Sequence, residues 1–309
     1  MSARPAAVRV TAPATSANLG PGFDTLGLAL DWCDTVEARA EFDGPGTQLH
    51  VEVEGAGADE VPRDERHLVV RAMRAAFDEA GGRPSSLWVG CHNVVPHSRG
   101  LGSSAAAIVA GVCAARELAR RAHGTAGVLD DDDAVLALVA RLEGHPDNVA
   151  ACLLGGLTMA WLDDDGAARA ARVDVHPEIV PVVAVPRDGV STEAARGLLP
   201  ATVPHADAAR NAGRAALLVH AAENRPELLF DATDDRLHQA FREPAMPATI
   251  ALVAALRDRG LPAVVSGAGP SVLVMGDAAA AVQVRARVPD WQVHTLPVRA
   301  DGVRVDTLE

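Results

Sequence analysis

The alternation of apolar and polar positions divides the chain into short strands and amphipathic helices. Residues 8–12 and 26–30 read as strands joined by the loop P-A-T-S-A-N-L-G-P-G-F-D. Residues 35–40 and 48–54 alternate with a period of two, as half-exposed strands do, around the turn segment D-G-P-G. From 67 to 80 the apolar residues Leu68, Met73, Ala76 and Phe77 recur near helical spacing, and Gly81-Gly82 marks a C-terminal cap. Residues 87–94 predict a strand and 103–122 a long buried helix. The acidic run at 130–133 puts favourable charge at the start of the apolar helix A-V-L-A-L-V-A-R-L, which explains it better than a metal cluster would. A further short helix begins at Asp147 and stops at Gly155-Gly156.

Beyond that point, 157–161 and 171–175 predict strands around the turn D-D-D-G, and 180–185 an apolar strand. The pattern from 206 to 242 is helical with a break near Pro226, and 248–259 is an amphipathic helix closed by Gly260. Strand A-V-V, loop S-G-A-G-P-S, strand V-L-V-M, a helix from Ala278 and a strand at 292–298 complete the chain. This β-α-α-β-β-α-β order is close to a ferredoxin-like unit. The expected class is therefore α+β in two domains, 1–165 and 166–309. The length of 309 residues suits one large or two medium domains.

The composition, 49% apolar and 22% charged, is that of a soluble globular chain. A net charge of −13 argues against non-specific nucleic-acid binding and against anionic membranes. Cys33, Cys91, Cys113 and Cys152 show no C-x-x-C spacing, which disfavours structural metal and fits a reducing compartment. The N-terminus lacks the apolar core of a signal peptide, and no run of 18 apolar residues exists. The expected location is the cytoplasm.

All 28 basic residues are Arg, and the chain contains no Lys. A Walker A loop, a protein-kinase site and Schiff-base chemistry each need one, so all three are excluded. Against that stands V-P-H-S-R-G-L-G-S-S-A-A-A, a glycine loop feeding a helix. Alone, Gly100 and Gly102 ask only for a tight turn. Pro96 before them, and Ser103-Ser104 with Ala105, Ala106 and Ala107 after them, favour a loop that grips phosphate. Backbone N–H groups and the helix dipole would do the work of the missing lysine.

Three further segments carry chemistry. In A-P-A-T-S-A-N-L-G-P-G-F-D the turn accounts for the glycines and the proline, but not for Asn18 or Asp24. In R-L-E-G-H-P-D-N-V-A, helix capping explains one of Glu143, His145, Asp147 and Asn148, not all four. Glu143 there could coordinate Mg²⁺. In V-S-T-E-A-A-R, Thr192 and Arg196 would share a helix face, and Arg196 could grip a carboxylate with two bonds. Arg242 in A-F-R-E-P is a second such candidate. The loop S-G-A-G-P-S reads either as a hairpin turn or as a second phosphate loop.

Together the motifs resemble the GHMP small-molecule kinases over nearly the whole chain. P-H-S-R-G-L-G-S-S-A-A is similar to that family's phosphate loop and S-G-A-G-P-S to its third motif. A-P-A-T-S-A-N-L-G-P-G-F-D and E-G-H-P-D-N-V-A resemble the branch that phosphorylates L-homoserine. A mevalonate-type member would need P-G-K, and no Lys exists. The resemblance implies a ribosomal protein S5 domain 2-like first domain, a ferredoxin-like second domain, ATP with Mg²⁺, and a homodimer. It implies that Pro96, His97, Ser98, Arg99, Gly100, Leu101, Gly102, Ser103, Ser104, Ala105 and Ala106 bind the nucleotide, with Gly267 and Gly269 closing near the phosphates. Ser104 and Glu143 would hold Mg²⁺. Asn18, Asp24, His145, Asp147, Asn148, Thr192, Arg196 and Arg242 would surround the amino-acid substrate, with Asp24 either taking the hydroxyl proton or binding the ammonium. One position departs from the family: His67, in E-R-H-L-V-V-R-A, stands where an Asn usually approaches the base. Two alternatives stay open, a family kinase for another small alcohol and an ATP-binding module without catalysis.

Overall fold

The computed structural model describes residues 6–44, 46–124 and 129–308. The alternation at Val8, Val10 and Ala12 turns one face of β1 (Ala6–Asn18) into the core. This strand pairs antiparallel with β2 (Gly22–Glu41), and only residues 19–21 turn between them. The expected loop at 13–24 is thus mostly strand. Every residue from Ala12 to Asn18 is buried, so no polar–apolar alternation marks that stretch.

The length of β2 lets it serve two neighbours on one side. Residues 35–41 pair with β4 (Ser86–Asn93), and residues 26–28 pair with β5 (Leu157–Leu162). β3 (Gln48–Gly55) runs parallel to β4, and β6 (Ala168–Val173) antiparallel to β5. The chain also ends in this seven-stranded sheet, through β11 (Arg304–Leu308) beside β1. β11 escapes the pattern because none of its residues is fully buried.

Helices α1 (Leu68–Glu79), α2 (Ser103–His123), α3 (Asp132–Glu143) and α4 (Asp147–Leu154) join these strands in one apolar cluster that includes Met73, Phe77, Ile108, Leu118 and Leu136. The acidic run does lie at a helix start, with Asp132 and Asp133 in the first turn of α3, and Asp131 in addition caps it by accepting the Ala134 N–H at 2.8 Å. Gly27 on β2 has a packing role. A Cβ there would lie 2.3 Å from the Asp147 carbonyl oxygen, so only glycine lets the start of α4 rest on the sheet.

The second sheet holds β7 (Val182–Val185), β8 (Ala263–Val265), β9 (Val272–Val274) and β10 (Gln292–Thr295) in the antiparallel order β10-β7-β9-β8. Between them run α5 (Thr192–Gly197), α6 (His205–Asn224), the one-turn α7 (Leu229–Ala232), α8 (Pro247–Arg257) and α9 (Ala280–Arg285). This is the expected ferredoxin-like arrangement. The helical stretch expected from 206 to 242 is interrupted, because Asp235 accepts backbone N–H groups of Leu237, His238 and Gln239 and folds residues 233–239 into a turn. A second apolar cluster binds the halves together, with Leu28, Leu30 and Leu157 from the first sheet against Val183, Leu218 and Leu273. Among the described residues, no helix is long and apolar enough to cross a membrane.

Candidate active site

A cleft of about 400 Å³ opens among the start of α2, the segment leading into α1, the joint between α3 and α4, the residues flanking the β1–β2 turn, α5, Arg242 and the β8–β9 loop. On the α2 side the site is built from backbone. Gly100 and Gly102 have φ of +70° and +65°, and Gly102 is the residue from which α2 starts. The first i→i−4 bond of the helix runs from Ala106 N–H to Gly102 C=O at 2.9 Å. The N–H groups of Ser103, Ser104 and Ala105 therefore precede the helical ladder and carry the positive end of the dipole. The small side chains of Ala106 and Ala107 line the cleft and leave room for a ligand.

The two glycine loops meet. A Cβ on Gly100 would lie 2.2 Å from the Ser266 carbonyl oxygen, and the Ser266 hydroxyl donates to Gly100 C=O at 2.6 Å. The second loop spends its own amides internally: Gly267 N–H donates to Ala17 C=O at 3.0 Å and Gly269 N–H to Ser266 C=O at 2.8 Å. Its contribution to the cleft is the surface of Gly267 and Ala268. Gly269 is buried against Met246 and Ala105 faces the core; neither lines the cleft.

Opposite lies a network of side chains. Arg196, on α5, grips Asp24 with two bonds of 2.8 and 2.7 Å, and Thr192 lines the cleft from the same helix. Asn18 donates to Gly267 C=O at 2.8 Å and accepts the Asp24 N–H at 3.0 Å. Arg242, almost fully buried, donates to the same carbonyl at 2.9 Å and keeps its Nε without a partner. Burial, and then the charge of Arg196, push its guanidinium down to about 10. His145 bonds the buried Asp147 at 3.2 Å, and that bond holds the imidazole above the usual histidine range. Asp147 also accepts the Asn148 N–H at 2.6 Å, while Asn148 accepts the Thr15 hydroxyl at 2.7 Å.

Glu143 stands between the two halves. It accepts the Ser104 hydroxyl at 2.5 Å. Burial raises its pKa, while the Ser104 bond and His145 pull it back down. One carboxylate and one hydroxyl, both hard oxygen donors, fit Mg²⁺ completed by phosphate oxygens and water. No cluster of three or more His, Cys, Asp or Glu suited to a metal occurs among the described residues, so the protein alone offers no closed metal cage.

All the candidate residues read from the motifs line this one cleft, apart from Ala105 and Gly269. His67 lies at the start of α1, buried, with its Nδ1 unpartnered; burial, and then His97, lower its pKa. Sequence reasoning missed Asp34, Arg66 and Asn93, which also line it. Asp34 accepts the N–H groups of Val94 and Val95 at 2.7 and 2.9 Å and so anchors the segment entering the phosphate loop. It sits within an ordinary strand pattern, and nothing local singles it out.

N–H groups ahead of the helical ladder of α2, facing a charged pocket of small-molecule size across two joined α+β units, suit a small-molecule kinase. Residues 67–156 match the family model for the GHMP kinases N terminal domain. Over 303 residues the chain is 55% identical to homoserine kinase from Streptomyces avermitilis, covering 98% of this chain and 96% of that protein. It is also 55% identical over 303 residues to homoserine kinase from Streptomyces coelicolor, covering 98% and 95%. The crystal structure of homoserine kinase from Cytophaga hutchinsonii is similar with a TM-score of 0.83 at 26% identity, covering 97% of both chains. The chain belongs to the homoserine kinase family within the GHMP kinases.

Proposed function

We propose that this enzyme transfers the γ-phosphoryl group of ATP to the side-chain hydroxyl of L-homoserine, giving O-phospho-L-homoserine for threonine synthesis. One observation carries the reading: the phosphate-holding start of α2 and the Asp24–Arg196–Arg242 pocket open into the same cleft. A donor and an acceptor bound there would be neighbours.

The N–H groups of Ser103 and Ser104 and the loop around Gly100 and Gly102 bind the triphosphate, and His67 lies toward the base. Arg196 and Arg242 receive the α-carboxylate of the acceptor. Asn18, Asp24, His145, Asp147, Asn148 and Thr192 close round its ammonium and hydroxyl. Ser104 and Glu143 hold Mg²⁺, which when bound neutralises charge on the phosphate oxygens. Both oxygens of Asp24 are held by Arg196. This favours Asp24 as a partner of the substrate ammonium over a role in taking the hydroxyl proton. Phosphoryl transfer depends chiefly on positioning and electrostatics, so the reaction does not require a strong base. We place the enzyme in the cytoplasm as a homodimer, with no nucleic-acid partner.

A coupled assay of ADP release tests this with homoserine, mevalonate, shikimate and galactose. Homoserine should give a kcat/KM at least about 100-fold above the others, the discrimination that charged groups aimed at an amino acid can supply. A higher value with another alcohol would assign the chain to that acceptor. Absence of turnover with all four would favour an ATP-binding module without catalysis.

A further inference from the structure

Phe23 and His238 take no part in the functions assigned above, and neither lines the cleft. Yet Phe23 touches the residues that matter most for the acceptor. The guanidinium carbon of Arg196 lies 5.4 Å from the Phe23 ring centre and that of Arg242 5.8 Å. Both are within cation–π range. His238 stacks on the same ring, with centroids 5.2 Å apart at 29°.

The backbone explains how one segment holds Arg196 in two ways. In an extended strand, neighbouring side chains point to opposite faces. Phe23 and Asp24 are neighbours near the start of β2, but Asp24 has a φ of +54°. This breaks the alternation, so the Phe23 ring and the Asp24 carboxylate meet the same guanidinium. The Asn18 side chain, itself at a φ of +69°, accepts the Asp24 N–H and holds that conformation. Left-handed backbone at a non-glycine residue is strained and persists where its surroundings enforce it.

His238 is fully buried, and its Nε2 lies 2.7 Å from the Gly20 carbonyl oxygen. A carbonyl only accepts, so Nε2 carries the proton. Nδ1 has no partner, so a second proton there would be a buried donor without an acceptor. The Asp235 carboxylate, 3.7 Å from Nε2, favours a charged ring, but burial outweighs it, so the neutral imidazole lies against the aromatic ring without adding a third positive charge beside Arg196 and Arg242. It also ties the 19–21 turn to the 233–239 segment, so ring and turn are fixed from one point.

We propose that Phe23, propped by His238, is a positioning residue that sets the spacing of Arg196 and Arg242 and so determines affinity for the carboxylate of the acceptor. The proposal rests on the reading of those arginines as the acceptor's carboxylate site. Without the ring, two like charges lose a shared attractive surface, and the second hold on Arg196 is gone. ATP, bound at the other side, keeps its contacts.

Steady-state kinetics of the wild-type enzyme, Phe23→Leu and Phe23→Tyr test this, with thermal unfolding of each. Phe23→Leu keeps apolar bulk and removes the ring. It should raise the KM for homoserine about fivefold, the equivalent of about 1 kcal/mol, as expected for a half-buried ring shared by the buried Arg242 and a partly exposed Arg196. The kcat and the KM for ATP should change less than about twofold, and Phe23→Tyr should restore the homoserine KM. An unchanged homoserine KM in Phe23→Leu overturns the proposal. So does an equal loss for both substrates with a lower Tm and no rescue by Tyr, the signature of a purely structural residue. A wild-type enzyme inactive with homoserine overturns the functional reading and the proposal with it, an outcome distinct from an active wild type with an indifferent Phe23→Leu.

Discussion

The two ends of the cleft are built from different materials. The end at the start of α2 is mostly backbone: a left-handed glycine at each of two positions, N–H groups ahead of the helical ladder, and alanines that stay out of the way. The end we assign to the acceptor is made of side chains already bonded to one another, from Arg196 and Asp24 to His145 and Asp147. A backbone site tolerates most side-chain changes and fails where a Cβ cannot fit. A side-chain site fails one residue at a time, because removing one member leaves its partner unsatisfied, at greatest cost where that partner is buried, as Asp147 is. Glu143 belongs to both, bonded to Ser104 on one side and under the charge of His145 on the other.

The largest effect should therefore come where the two ends meet. Glu143→Gln keeps the shape and removes the charge. Turnover should fall about 10²- to 10³-fold, the range for losing one group that stabilises transition-state charge. The Mg²⁺ concentration giving half-maximal rate should rise as well; an unchanged Mg²⁺ titration would sink the metal assignment. A titration sharpens the point. Burial raises the pKa of Glu143, so its carboxylate form is reached at higher pH than for an ordinary glutamate. The Ser104 bond counters that rise. In the metal-free protein, Ser104→Ala should thus raise the Glu143 pKa further, read by NMR titration of its carboxyl carbon, and a fall would contradict the geometry.

A smaller effect is expected from the backbone end. Gly100→Ala meets two obstacles, a φ of +70° and a carbonyl oxygen 2.2 Å from the new Cβ. Gly260 has a similar φ of +78° but open space round it. Gly260→Ala then measures the backbone strain alone. Strained backbone of this kind costs about 1–3 kcal/mol. Gly100→Ala should lower Tm more than Gly260→Ala and raise the KM for ATP, which Gly260→Ala should leave alone. Equal losses of stability, with normal ATP kinetics in both, would show that the meeting of the two glycine loops is dispensable.

Legibility followed the same division. The glycine loop, the ferredoxin-like order and the acidic start of α3 depend on local chemistry, which a sequence displays. The strand through Ala12–Asn18 was hidden because it is buried on both faces, and β11 because its partner lies nearly 300 residues away in sequence. At the site, Asn18 and Asp24 stood out as polar residues that the turn could not explain, and Arg196 as a guanidinium able to grip a carboxylate. Their pairing did not, since Asp24 and Arg196 are 172 positions apart. Asp34, and the ring of Phe23 beneath two arginines, become visible only when distant segments are brought together.

The smallest effect tests whether His145 carries charge near neutral pH. His145 is held above its ordinary value of 6.5 chiefly by the bond to Asp147, and its side chain is 22% exposed. A group whose pKa is raised by folding contributes stability in full below its unfolded pKa and loses it as pH rises through the folded value. His145→Gln should therefore be less stable than wild type by about 1 kcal/mol near pH 6, in keeping with a partly exposed ion pair. The difference should shrink as pH rises through the raised folded pKa, beyond which both imidazole and glutamine are neutral. Chemical denaturation below and above that pKa reads it directly. A deficit that stays constant would mean that His145 is neutral throughout. The acceptor end would then be held by Arg196 and Arg242 alone as its positive groups.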